Sequence, residues 1–152
     1  MRNLHATALV VGSKGVLIMG ASGSGKSRLA HALHLQCGLL HLPCLLVSDD
    51  QVLPEAKGKH LVVRAPAEIS GLIEMRGFGL AAARNIHAAV MDLAVELVAR
   101  EQAERMPDDD AATQICGVSI GKLTLPREDA AGSALAILAR LGHSVWSEQS
   151  PA

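Results

Sequence analysis

Aromatic residues are almost missing from this 152-residue chain, which has no Tyr, one Phe (Phe78) and one Trp (Trp146). A single-strand nucleic-acid binder stacks bases on aromatic rings, so that class is disfavoured. Neither sign of charge is in excess. Lys and Arg number 14, Asp and Glu 15, and the formal net charge is −1. A general nucleic-acid binder needs a basic surplus to meet phosphates. Cysteine is scarce and odd in number: Cys37, Cys44 and Cys116. There is no C-x-x-C, and no metal-ligand spacing joins a cysteine to a histidine, so neither a disulfide framework nor a zinc site is indicated. No apolar run approaches the roughly 18 residues of a membrane helix. The opening Met1-Arg2-Asn3-Leu4-His5 lacks the pattern of a signal peptide. These absences together point to a reduced, cytoplasmic protein with no membrane and no nucleic-acid partner.

What is present is small and aliphatic. Hydrophobic residues make up 49% and charged residues 19%, which excludes disorder as the main description. Ala, Leu, Val and Ile suit an α/β core whose strands are covered on both faces. A chain this long buries roughly two thirds of its unfolded surface and needs no staple. With no internal repeat or low-complexity linker, one domain over residues 1–145 is expected, followed by a flexible tail at 146–152.

Residues 4–11 read as a strand and Gly12–Gly15 as a turn. Val16–Met19 is a short apolar run of the kind that forms a buried central strand. A helix is expected over about Lys26–Gln36, with Gly38 as its stop. Further strands are expected at Leu45–Val47, Val52-Leu53, Leu61–Arg64 and Leu72–Met75, with a polar turn at Glu55–Lys59. Residues 91–98 stay open: they alternate like a strand, but their Ala and Glu content favours helix. An acidic loop follows at 107–112, then two short strand-like pieces around Gly121-Lys122 within Ile115–Leu125, and a closing amphipathic helix at Ala130–Leu141.

Gly20-Ala21-Ser22-Gly23-Ser24-Gly25-Lys26-Ser27 carries the most information. It is a complete G-x4-G-K-S phosphate-binding loop, placed between an apolar strand and a helix. Its glycines allow positive φ and a close backbone wrap. Successive N–H groups can then form an anion nest beside the positive end of a helix. Lys26 can reach β and γ phosphates, and the Ser27 hydroxyl can ligate Mg²⁺. The fold expected is therefore α/β: a P-loop kinase-like domain with a mostly buried central sheet flanked by helices.

Two further elements belong with it. Asp49-Asp50 closes an apolar strand, and strand carboxyl ends surround the ligand crevice in an open parallel sheet. A carboxylate there can hold Mg²⁺ or take a proton from a hydroxyl nucleophile. Two adjacent carboxylates repel, so one can have a raised pKa and serve as a base. In Ile73-Glu74-Met75-Arg76-Gly77-Phe78-Gly79, a glutamate and an arginine two apart on a strand share a face. That can bring an acid to Mg²⁺ and a guanidinium to phosphate. The histidines show no metal spacing; His31 and His34 read as helix surface, and the cysteines as small buried hydrophobes.

In this order, these pieces resemble the catalytic domain of HPr kinase/phosphorylase, over roughly residues 4–130. The resemblance rests on His5 ahead of a V-x-G-x-x-G-V-L-I stretch (Val10 to Ile18), the loop GASGSGKS, LVSDDQV (Leu46–Val52) and IEMRGFGL (Ile73–Leu80). It implies an ATP-dependent serine protein kinase acting on a small HPr-like phosphocarrier protein. It implies Asp49 as general base, with Asp50 and His5 beside it. It also implies Ser27 and Glu74 at Mg²⁺, Arg76 at the transferred phosphate or the partner, and a homohexamer. Pyrophosphate is an alternative donor in the family.

The chain departs from the family in three places. The family's separate N-terminal domain has no counterpart, which implies a truncated form. Arg28 stands where Glu is usual. Leu125-Pro126-Arg127-Glu128-Asp129 keeps only the proline and one arginine of a P-x-R-P-G-R-N stretch tied to phosphorolysis, which implies weak or absent phosphorylase activity. Two other readings keep the loop but not the partner: a small-molecule kinase, and a non-catalytic nucleotide-binding regulatory module. Scattered Arg84, Arg100 and Arg105 make a poor arginine lid for the first.

Overall fold

A computed structural model describes residues 2–146, so nearly all of the expected tail at 146–152 lies outside the described residues. The chain begins with a hairpin, β1 (Ala6–Val11) and β2 (Lys14–Met19). Gly12, at φ 61, turns it through a two-residue loop. Then follow α1 (Lys26–Leu39), β3 (Cys44–Ser48), β4 (Leu53–Lys57), β5 (His60–Arg64), β6 (Leu72–Met75) and β7 (Gly79–Ala82). The chain continues through β8 (Ala88–Met91), β9 (Leu93–Val98), β10 (Ala112–Ile115), β11 (Val118–Pro126) and α2 (Ala130–Arg140).

The central sheet is mixed, in the order β10-β11-β9-β2-β1-β3. β2, β9 and β11 run parallel, while β1, β3 and β10 pair antiparallel to their neighbours. Strand alternation divides its side chains between two cores. Leu9, Val11, Val16, Ile18, Leu93 and Val95 meet Leu29, Leu33, Ile137 and Leu138 of the two helices. Ala6, Ala8, Leu17 and Ala94 meet Val52, Leu61, Val63 and Met91.

The sheet is thus covered on both faces, but helices do not flank it. Both helices pack in one cluster with one face, and residues of the antiparallel sheet β4-β5-β8 cover the other. Alternation in Leu61–Val63 buries the side chains that make this second layer.

Four local expectations are corrected. The stretch left open at 91–98 is strand over Leu93–Val98, because parallel partners on both sides override the helix propensity of Ala and Glu. The helix does not stop at Gly38 but runs to Leu39. Glu55–Lys57 is strand rather than turn, the turn being confined to Gly58-Lys59. Val118–Pro126 is one continuous strand through Gly121-Lys122, with its turn at Cys116-Gly117, where both φ angles are positive. Among the described residues no helix is long and apolar enough to cross a membrane.

Candidate active site

The loop Gly20–Ser27 joins the end of β2 to the start of α1 at the centre of the sheet. Gly25 caps the helix at φ 96 and Gly23 sits at φ 77, conformations that cost an ordinary residue energy. A Cβ on Gly20 would collide with the Ser24 hydroxyl. The loop is therefore wound too closely for side chains at its base. Lys26 is buried at 5% exposure, and its ammonium donates to the carbonyls of Gly20 (3.1 Å) and Ala21 (3.2 Å). The Ser24 hydroxyl is buried without a hydrogen-bond partner among the described residues. Such an orphan is costly unless something completes it.

Asp49 connects three elements. It is 7% exposed, and Oδ1 accepts from the Ser27 hydroxyl of α1 (2.7 Å) and the Thr7 hydroxyl of β1 (2.9 Å). Its Oδ2 accepts from the backbone N–H of Glu74 in β6 (2.9 Å). Asp50 turns the other way at φ 67. Its side chain is 58% exposed, and Oδ1 stands 3.7 Å from the Lys26 ammonium. The adjacent carboxylates thus diverge, one drawn inward by donors and one held outward beside a cation.

A cavity of about 240 Å³ collects Ser22, Gly23, Gly25, Lys26, Ser27 and Arg28 with Asp50, Glu74 and Arg76. Glu74 and Arg76 both line it, although Arg76 is not on the strand as expected. They lie on β6 and in the hairpin turn that follows it, where Gly77 takes φ 88. Most of the candidates therefore meet at one place. Asp49 is not among the lining residues, although it holds Ser27, which is, and His5 does not line the cavity either. It is exposed and precedes Ala6, whose N–H donates to the Asp50 carbonyl (3.1 Å). The Arg127 side chain is also absent from the lining, although its carbonyl lies against Gly25.

Sequence reasoning missed two residues. His31 lines the cavity, and its Nε2 lies 2.9 Å from the Glu74 carbonyl, a hydrogen bond when that nitrogen carries the proton. Its place one turn after Ser27 was the available signal. Thr7 is fully buried. A hydroxyl inside the apolar run Ala6–Val11 needs a partner, which was the signal there. A larger cavity of about 520 Å³ lies beyond His31, lined mostly by apolar residues such as Leu9, Leu46 and Ile73, and includes no residue of the loop.

Among the described residues no three His, Cys, Asp or Glu side chains are grouped to hold a metal. The donor set nonetheless fits Mg²⁺ arriving with a polyphosphate, because that ion uses one or two protein ligands and takes the rest from phosphate and water. Ser27 and Glu74 line the same cavity. The Ser27 proton is directed at Asp49, so the lone pairs of its oxygen stay available.

Fold and site define an α/β domain in which a glycine-rich strand-to-helix loop meets a carboxylate pair and a Glu/Arg hairpin. The family model for the HPr Serine kinase C-terminal domain matches residues 1–141, and the chain belongs to that family. It is 32% identical over 133 residues to the HPr kinase/phosphorylase of Caldicellulosiruptor bescii, covering 80% of this chain and 41% of that protein. Against the HPr kinase/phosphorylase of Burkholderia cenocepacia the figures are 33% over 145 residues, 89% and 42%. The chain thus spans about two fifths of the length of these relatives. The solved structure of the Hpr(Ser) kinase/phosphatase from Coxiella burnetii shares the fold with a TM-score of 0.74 at 24% identity, covering 93% of this chain and 89% of that one.

Proposed function

We propose that residues 1–145 form the catalytic domain of a cytoplasmic, ATP-dependent protein kinase that phosphorylates a seryl hydroxyl of an HPr-like phosphocarrier protein. The observation that carries this reading is the reach of Asp49, whose one carboxylate, itself outside the cavity lining, ties the loop serine, β1 and the backbone of the Glu/Arg hairpin together. Family membership supports the same reading.

In this mechanism the N–H groups of the loop and the Lys26 ammonium hold the β and γ phosphates of ATP. Asp50 keeps Lys26 beside the cavity until phosphate takes its place. Ser27 and Glu74 would hold Mg²⁺, which when bound neutralises phosphate charge. Asp49 Oδ2 has one backbone donor and spare lone-pair capacity. It accepts the proton of the seryl hydroxyl as that oxygen attacks the γ phosphorus and ADP departs. Arg76 meets the oxygens of the transferred group. His5 stands just ahead of β1, next to Ala6, whose N–H holds the Asp50 carbonyl.

Phosphorolysis is weak or absent in this reading, because only Pro126 and Arg127 remain of the late arginine stretch. Pyrophosphate is a second donor for the same loop. The active assembly is a homohexamer, which native mass measurement tests. The deciding experiment is transfer of γ-phosphate from Mg·ATP to a purified HPr-like carrier, comparing wild type with Asp49→Asn. Serine-linked phosphate formed by wild type and lost in the variant is the expected result. ATP bound with no transfer by wild type would favour a regulatory module.

A further inference from the structure

Thr7 presents a single buried hydroxyl to both members of the carboxylate pair. It donates to Asp49 Oδ1 at 2.9 Å and accepts from the Asp50 backbone N–H at 3.1 Å. Thr7 has no exposed surface, so water cannot substitute for either bond.

The register of β1 on β3 explains how these groups meet. Leu9 pairs with Leu46 and Ala8 with Ser48, so Val47 is an extra residue on β3. Without that bulge Thr7 would stand opposite Ser48 and Ala6 opposite Asp49. With it, Thr7 comes opposite Asp49, and the Ala6 N–H reaches the Asp50 carbonyl. A bulge of this kind re-aims side chains at the end of a strand. Here it brings a hydroxyl of the helix-facing row of β1, in line with Leu9 and Val11, to the carboxylate that also takes Ser27.

Asp50 then leaves the strand at φ 67, a conformation that costs a non-glycine residue energy and persists only where neighbours fix it. The hydrogen bond to Thr7 is one such restraint. It holds the chain where Asp49 points inward and Asp50 outward to Lys26.

We propose that Thr7 is a positioning residue that fixes the Asp49–Asp50 pair for phosphoryl transfer, acting through the two aspartates and not on the substrate. This rests on the kinase reading above for its catalytic part; its structural part stands without it. A methyl-for-hydroxyl exchange isolates the role, since Thr7→Val keeps shape and removes both bonds. Thr7→Ser keeps the hydroxyl. Thr7→Cys, near in size with only a weak donor, serves if the valine variant does not fold.

The experiment measures exchange of the Asp50 amide by NMR, with kcat and both KM values for transfer from Mg·ATP to an HPr-like carrier. For Thr7→Val we expect Asp50 exchange at least about tenfold faster and kcat down about tenfold or more, with the KM for ATP within about twofold. Thr7→Ser restores both to within about threefold, and Thr7→Cys falls between. Unchanged Asp50 exchange with unchanged kcat in folded Thr7→Val or Thr7→Cys overturns the proposal. So does a Thr7→Ser variant as impaired as the variants lacking the hydroxyl, which would make the methyl group and its packing the cause. If wild type transfers no phosphate, the kinase reading falls, and the exchange measurement still decides whether Thr7 holds the pair.

Discussion

The Ser27 hydroxyl donates to Asp49 Oδ1 at 2.7 Å across 22 positions of sequence. The bond joins the first turn of α1 to the end of β3. It fixes which way the serine proton points, and so which lone pairs face the cavity. Asp49→Asn should therefore do two things. Transfer to an HPr-like carrier should fall by about a hundredfold or more, the scale of a lost general base. Nucleotide binding should survive, because the loop backbone is untouched. Steady-state kinetics with fluorescent-nucleotide titration separates the two.

Lys26 is held by the carbonyls of Gly20 and Ala21 and by Asp50. Its ammonium is the one buried cation at the loop. Lys26→Met should weaken ATP binding at least about tenfold, the size of a charge-assisted bond. Calorimetric titration checks this. Wild-type affinity in a folded variant would remove Lys26 from the phosphate site.

Phe78 stands 74% exposed at the hairpin tip beside Arg76. If the kinase reading holds, a large exposed ring outside the cavity lining would meet the carrier protein and not the nucleotide. Phe78→Ala should raise the KM for the carrier several-fold and leave the KM for ATP unchanged. Stability should move by no more than about 0.5 kcal/mol, as for an exposed site.

Leu33 is completely buried between α1 and the central sheet. Leu33→Ala should lower stability by about 2–5 kcal/mol through lost transfer energy and the cavity left behind. Urea unfolding measures it, and a loss below about 1 kcal/mol would contradict that packing.

Cys37 and Cys44 are buried, while Cys116 is exposed. The hydrogen bond between the buried pair holds the Cys37 thiol below its ordinary 9.0 and, together with burial, pushes the Cys44 thiol far above it. Folded protein at pH 8 should take up one alkyl group, at Cys116, and unfolded protein three. The folded chain also keeps a proton on Cys44 that the unfolded chain releases near pH 9.0. Its contribution to stability is then whole below that pH and falls as the pH rises past it. Peptide mapping of the alkylated protein and urea midpoints at pH 8 and 10 test both statements.

The loop at Gly20–Ser27 was legible from the residues because its chemistry is local. Eight consecutive residues make the tight wrap and the helix start, and no distant partner is needed. Glu74 and Arg76 were legible as a pair from their spacing, but only Glu74 lies on β6; Arg76 falls in the turn, and both nonetheless line the one cavity. Small aliphatic residues and unbroken apolar runs such as Val16–Met19 likewise announced a sheet buried on both sides. What covers each face was not legible. That depends on how loops of similar polarity carry the chain, and here both helices went to one side.

Pairing across long separations was settled only by tertiary structure. Residues 93–98 have a composition suited to helix, yet they lie between β2 and β11 because backbone bonds to two neighbours outweigh local preference. The adjacent aspartates looked alike in sequence and came apart in the fold. A one-residue bulge at Val47 set Thr7 against Asp49 and left Asp50 to face Lys26. Sequence by itself determined a tightly wound glycine-rich turn between a strand and a helix, and the positions of the polar residues that gather beside it. Strand register decided which carboxylate each hydroxyl meets, because register is a property of two strands and neither carries it alone.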